Sequence, residues 1–218
     1  MPGLRILLAD DHEIVRQGLR SILAGVRDCE IVGEASDGRQ AVAMVKEHNP
    51  EIVILDIGMP SLNGLEATRQ ILKIRPQTKV LILTMHESDT VIREVLDAGA
   101  RGYILKTDAG RDLVTAVESL RRNKAFFTSR VSQMILDGFL KGEPRPRDSE
   151  SGGIRLTPRQ REIVQLLAEG KSSKEVAVTL DLSVKTAETH RANIMRKLDC
   201  HSVSEVVRYA IRNKIIDA

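Results

Sequence analysis

The strongest constraint on this chain's fold lies in its first 125 residues, where short aliphatic or β-branched runs alternate five times with longer stretches of helical spacing. The runs occupy residues 5–9, 30–35, 52–55, 79–83 and 102–105. Between them, Ile14, Val15, Leu19, Ile22 and Leu23 recur with the period of one helix face, as do Val91, Val95 and Ala98. Ile52-Val53-Ile54-Leu55 is apolar throughout, so both of its faces need cover. That is the situation of a strand inside a parallel sheet. Right-handed crossovers then predict an open, doubly wound, five-stranded parallel sheet. Such sheets bind ligands beyond the carboxyl ends of their strands, so the polar residues there carry the functional reading.

The pattern changes after a predicted helix over residues 111–122. A further helical pattern around 131–140 runs into residues 142–153, which hold two prolines, three glycines and charges without apolar anchors. This is the composition of an exposed linker. The expected organisation is a first domain over 1–125, a helix and linker over 126–153, and a separate all-α domain over 154–218. Four helices are expected in the last part. Thr157, Ser172 and Ser202 each precede a Gln or Glu by three residues, the pattern of a capping box, and Ser183 is expected to cap the remaining helix.

Charge follows the same division. Residues 1–153 carry 21 basic and 22 acidic side chains, whereas residues 154–218 carry 12 and 8, a local excess of +4 that suits a polyanionic partner. Cys29 and Cys200 are too few and too far apart for a disulfide framework or a zinc site, and read as reduced thiols. No run reaches the ~20 apolar residues of a membrane span. The expectation is a cytoplasmic protein that does not associate with membranes.

Asp10 and Asp11 follow the first strand and Asp56 follows the third. If these strands are neighbours, three carboxylates meet at one edge and need a cation, and an all-oxygen donor set favours Mg²⁺. Thr84 ends the fourth strand and Lys106 the fifth. A carboxylate nucleophile, a hard cation, a hydroxyl and a lysine together suit transfer of a phosphoryl group to an aspartate. His12 adjoins the carboxylates and is read as exposed and unliganded.

These residues, with Asp56-Ile57-Gly58-Met59-Pro60, Gly64 and Tyr103, resemble the receiver domain of two-component response regulators over residues 1–122. The resemblance implies a flavodoxin-like receiver fold and makes Asp56 the phosphoacceptor. It gives Mg²⁺ the ligands Asp11, Asp56 and the Gly58 carbonyl, with Asp10 acting through water. Thr84 and Tyr103 become the pair that reports phosphorylation, with Lys106 stabilising the phosphoryl group. Thr107 departs from the pattern by standing where many receivers have proline, which disfavours a cis peptide after Lys106.

In the last part, Val176, Ala177 and Leu180, a turn at Asp181-Leu182, and a helix from Val184 read as a helix-turn-helix. Ala187, Ile194 and Leu198 share one face of the second helix. Lys185, Thr189, Ala192 and Arg196 share another that is polar, basic and able to enter a major groove. The stretch from Leu156 to Ile215 resembles LuxR-type domains, and with the receiver it points to the NarL/FixJ class. By matching position, Glu188, Thr189 and Ala192 would face bases, and Lys185, Thr186 and Arg196 would hold phosphates. Arg191 replaces an apolar residue and is read as a further DNA contact.

The class implies a sensor histidine kinase as phosphodonor, double-stranded promoter DNA as target, and a homodimer on phosphorylation. An aspartate-dependent phosphatase is the enzymatic alternative, but such enzymes need a second acid two residues after the nucleophile, where this chain has Gly58. No Gly-rich phosphate loop follows the first strand. The protein is therefore read as a regulator and not as an enzyme, beyond any phosphorylation and dephosphorylation of its own aspartate. A never-phosphorylated dimerisation module is the other alternative.

Overall fold

In the computed structural model, residues 3–85, 88–129, 131–133, 136 and 156–216 are described. They fall into two compact units. The first holds five strands, β1 (Leu4–Ala9), β2 (Cys29–Ala35), β3 (Ile52–Asp56), β4 (Lys79–Thr84) and β5 (Gly102–Leu105). Each begins and ends within one residue of the run seen in sequence. All pairings are parallel, in the order β2-β1-β3-β4-β5. The crossovers are α1 (Glu13–Leu23), α2 (Gly38–His48), α3 (Gly64–Ile74) and α4 (Asp89–Ala98), and α5 (Ala109–Arg121) follows β5 after a short 3₁₀ turn at Lys106–Asp108. The cis peptide that the Lys106-Thr107 sequence disfavours is not formed.

The side-chain period of two divides each strand between two helical layers. Leu4, Ile6, Leu8, Ile52, Ile54, Leu81 and Leu83 pack with Leu19 and Leu23 of α1 and with Leu113, Val117 and Leu120 of α5. On the opposite face, Leu7, Val53, Leu55, Val80, Ile82 and Tyr103 are also buried; α2 and α3 pack against the strands there and α4 packs beside α3. Ile6, Leu7, Leu8, Ile54 and Leu81 have no exposed surface at all. Each such side chain contributes roughly 1.5–3 kcal/mol. Helix ends match their residues: Asp37 caps α2 through Arg39 N and Gln40 N, Ser88 caps α4, and α4 stops at Gly99 with φ 92°.

Beyond α5 the chain returns to the open side of β5. Tyr103 N donates to Phe126 O at 3.1 Å and Phe126 N to Arg101 O at 3.0 Å, so the edge strand is covered. Helical structure is present at Ser129, at 131–133 and at Leu136. The remainder of the helix expected over 131–140, and the linker expected over 142–153, lie outside the described residues.

The second unit is four helices, α6 (Pro158–Ala168), α7 (Ser173–Thr179), α8 (Val184–Lys197) and α9 (Val203–Arg212), around a core that includes Ile163, Leu167, Val176, Ala177, Ala187, Ile194, Val206 and Ala210. Reciprocal capping boxes form at Thr157 and Ser172. The third expected box forms only halfway. Ser202 accepts from Glu205 N, but the Glu205 carboxylate accepts from His201 N and not from Ser202 N. The reason is backbone conformation: φ is near −70° at the two complete boxes and −142° at Ser202, which turns the Ser202 N–H away.

Candidate functional site

β1 is the strand at which the chain reverses direction across the sheet, with β2 on one side and β3 on the other. Ligands bind at this switch point in doubly wound sheets. The register pairs Ala9 with Leu55, which brings Asp10 level with Asp56 at the carboxyl edge. Asp10 has no exposed surface and Asp56 is 4% exposed. Asp11 is partly exposed, and one donor atom from each of Asp10, Asp11, His12 and Asp56 lies within 4.8 Å of the others.

Lys106 closes the pocket from the end of β5. Its Nζ lies 2.8 Å from Asp10 Oδ2 and 2.9 Å from Asp56 Oδ2. Thr84 is buried at the end of β4, opposite Leu105. Gly58 lies half-buried in the bend after β3. Tyr103 is fully buried in β5, paired in register with Ile82. Asp10, Asp11, Asp56 and Lys106 are thus brought into one cluster, Thr84 ends the adjacent strand, and Tyr103 sits within the sheet.

The electrostatics follow from counting charges. One ammonium faces three carboxylates, so the lysine is well compensated and the carboxylates are not. For Asp56, burial raises the pKa most; Lys106 opposes this, and the Asp10 and Asp11 charges add to the rise, so its carboxyl stays above the ordinary value. For Lys106, burial works to lower the pKa, but the hydrogen bond to Asp10 and the Asp56 charge outweigh it and hold the ammonium above its ordinary value. The pocket remains short of positive charge. Asp10 Oδ2 is buried, and the Lys106 ammonium at 2.8 Å is its charge partner. A cluster in which three carboxylates, two of them buried, face one ammonium fits a hard divalent cation.

Two residues support the site in ways that only the coordinates reveal. Arg16 donates from Nη1 to the Asp10 carbonyl at 2.6 Å and pairs through Nε with Glu34, fixing the backbone that carries the carboxylates. Gly64 packs directly against the loop that follows β3: a Cβ there would stand 2.0 Å from the Asp56 carbonyl oxygen. The motif flags Gly64, but only coordinates reveal the contact.

In the second unit, Val176, Ala177 and Leu180 are buried as expected and Asp181 takes the turn at φ 53°. On α8, Ala187, Ile194 and Leu198 face the core. Lys185, Thr186, Glu188, Thr189, Ala192 and Arg196 are all exposed, whereas Arg191 is half-buried between the two faces. Ser183 caps α8 by accepting from Thr186 N at 3.1 Å, and the Thr189 hydroxyl donates to Lys185 O at 2.8 Å. No helix among the described residues is long and apolar enough to cross a membrane.

Comparison with known proteins agrees with both units. Residues 6–118 match the response regulator receiver domain, and residues 155–210 match the bacterial regulatory proteins of the luxR family. The oxygen regulatory protein NreC of Staphylococcus carnosus is 38% identical, spanning 98% of this chain and 100% of its own length. The transcriptional regulatory protein LiaR of Bacillus subtilis is 35% identical with the same coverage. Among solved structures, the RcsB response regulator of Salmonella typhimurium is 27% identical with a TM-score of 0.58, over 96% of this chain and 98% of the other. An RcsB–DNA complex is 28% identical, also at 0.58, over 95% and 97%.

Proposed function

Because this chain belongs to the response regulators that join a receiver domain to a LuxR-type helix-turn-helix domain, we propose that phosphorylation of Asp56 controls its binding to promoter DNA. The family makes the chain a DNA-binding regulator and not a classical enzyme. The observation that carries the phosphoryl chemistry is Lys106, held 2.8 and 2.9 Å from two buried carboxylates at the sheet's switch point.

In this reading a carboxylate oxygen of Asp56 attacks phosphorus and the bond to the donor's leaving group breaks, giving an acyl phosphate. Lys106, already in contact with Asp56, pairs with a phosphoryl oxygen. Thr84, at the end of the neighbouring strand, donates its hydroxyl to another. Asp11, Asp56 and the Gly58 carbonyl would hold Mg²⁺, with Asp10 acting through water. The ion supplies neutralisation of phosphoryl charge. The same pocket hydrolyses the acyl phosphate, so any catalysis is directed at the protein's own aspartate.

A sensor histidine kinase serves as donor, and movement of Thr84 reaches Tyr103 through the paired strands β4 and β5. That change frees the second domain or favours a homodimer. The receiver is placed at 1–125, the helix and linker at 126–153, and the DNA reader at 154–218. On α8, Glu188, Thr189 and Ala192 face bases, Lys185, Thr186 and Arg196 hold phosphates, and Arg191 adds a contact from the side of that face; exposure of the first six supports this assignment. Incubation with a small phosphodonor and Mg²⁺, followed by intact-mass measurement, tests the reading. Wild type should gain one phosphoryl group and Asp56→Asn none; no gain in wild type would favour a receiver that serves only as a constitutive dimerisation module.

A further inference from the structure

α8 carries a negative charge on the side that meets a polyanion, and nothing in its own unit holds that charge. Lys185, Thr189, Ala192 and Arg196 fall within about 60° of one another around the helix, and Glu188 lies about 40° beyond Ala192. All five are exposed. We propose that Glu188 and Thr189 set the base preference of the DNA reader. Glu188 accepts a hydrogen bond from the amine of a cytosine, and Thr189 packs its methyl group on a neighbouring thymine. The proposal rests on the reading of α8 as the helix that enters the major groove, and adds which bases it selects.

Three observations support it. The first is the state of the Glu188 carboxylate. Lys185 and Arg191 each stand three residues away, a spacing at which helical ion pairs form. Among the described residues Glu188 nevertheless has neither an ion pair nor a hydrogen bond from its side chain. Glu162, Glu169, Glu175 and Glu205 of the same unit are all engaged, by Arg159, Gln165, Ser172 and His201.

The second is the chemistry of the groove. An ionised carboxylate only accepts, and in the major groove only the cytosine and adenine amines donate. Guanine presents two acceptors, and thymine an acceptor beside a methyl group, so both oppose it. The adenine amine is flanked by the N7 acceptor, which leaves cytosine as the favoured base. Phosphates repel the same charge, so Glu188 fits where a base amine meets it. The third is Thr189. Its hydroxyl donates to Lys185 O at 2.8 Å, so its proton is committed to the helix. Thr189 and Ala192 then offer the groove methyl groups, which suit the C5-methyl of thymine.

The test starts from duplexes with a randomised segment, bound by the full chain treated with phosphodonor and Mg²⁺ and sequenced after selection. Wild type, Glu188→Gln, Glu188→Lys and Thr189→Ser are compared at one salt concentration. Both residues are exposed, so none of the changes removes core packing. Wild type should enrich a cytosine beside a thymine in each half-site, and replacing that cytosine should weaken binding at least about fivefold. At that one position Glu188→Lys should come to prefer guanine, whose O6 and N7 accept from an ammonium, and Glu188→Gln should come to prefer adenine. Deoxyuridine in place of the thymine removes only the methyl group and should cost wild type about threefold, whereas Thr189→Ser should bind the two duplexes alike. A folding defect lowers binding to every duplex without moving the preferred base, so the two Glu188 variants keep the test decisive. Cytosine still preferred by both of them, or a thymine preference unchanged in Thr189→Ser, overturns the proposal while the DNA-reading role of α8 stands. Wild type that enriches no sequence overturns the proposal and that role together.

Discussion

Gly64→Ala probes how the loop that carries Asp56 is held. Gly64 opens α3, and its N–H donates to Ile57 O at 2.9 Å. A methyl group at its Cα would lie 2.0 Å from the Asp56 carbonyl oxygen and 2.9 Å from both the Asp56 carbonyl carbon and Ile57 Cα, all backbone atoms that no side-chain rotation can clear. Contacts at that position need at least 3.0 Å, so α3 and the end of β3 must separate by about 1 Å. Overpacking of this kind costs about 1–3 kcal/mol. A displacement of about 1 Å at the reacting carboxylate also costs on the order of 100-fold in rate. Urea denaturation of the receiver unit gives the first quantity, and the rate of phosphodonor labelling at fixed Mg²⁺ gives the second. Gly18→Ala is the control: Gly18 lies inside α1 with nothing within 4 Å of its added Cβ, and the change should stabilise by about 0.5–1 kcal/mol with no effect on labelling. Wild-type stability and wild-type labelling in Gly64→Ala would refute the argument.

Three further outcomes follow from the pocket and from α8. Lys106→Met leaves two carboxylates, 0% and 6% exposed, without their shared cation; it should destabilise the receiver by about 3–5 kcal/mol in divalent-free buffer, and Mg²⁺ should recover part of that, as read from urea midpoints. Asp56 has a folded pKa raised above its ordinary 3.8, so the folded state binds its proton more tightly, and ionisation begins to cost stability as pH rises past 3.8 and costs it in full above the folded value. Asp56→Asn should therefore stabilise the metal-free protein at neutral pH, and the gain should fade as pH drops toward 3.8; a gain that grows on acidification would contradict the sign. For DNA binding, Arg196→Ala should reduce the dependence of log affinity on log salt by about one unit, while a substitution that removes no phosphate contact leaves the slope unchanged.

The sheet was legible because its strands are buried on both faces. Runs such as Ile52–Leu55 could hardly be anything else, and the observed strands differ from the runs by at most one residue. The cluster was legible for a related reason: residues that follow parallel strands share one edge of the sheet, and Asp10, Asp11, Asp56 and Lys106 lie together there while Thr84 ends the adjacent strand. What sequence could not show depends on backbone angles and on long-range neighbours. The capping box at Ser202 matched the pattern of the other two, but an extended φ redirected Glu205 to His201 N. Arg16 sits on an ordinary helix face, and only the packing of α1 against the β1 end brings it to the Asp10 carbonyl. His12 was read as exposed, and it is; the direction of its ring toward Asp11 is a matter of side-chain geometry that spacing does not encode.

Control of DNA binding by Asp56 is tested most directly by a paired affinity measurement. Phosphorylated wild type and Asp56→Ala protein exposed to the same phosphodonor are titrated against one promoter fragment at one salt concentration. The account predicts tighter specific binding by the phosphorylated protein, with Asp56→Ala remaining at the unphosphorylated level. Equal affinity of the two proteins, with wild type shown by mass to carry the phosphoryl group, would contradict it.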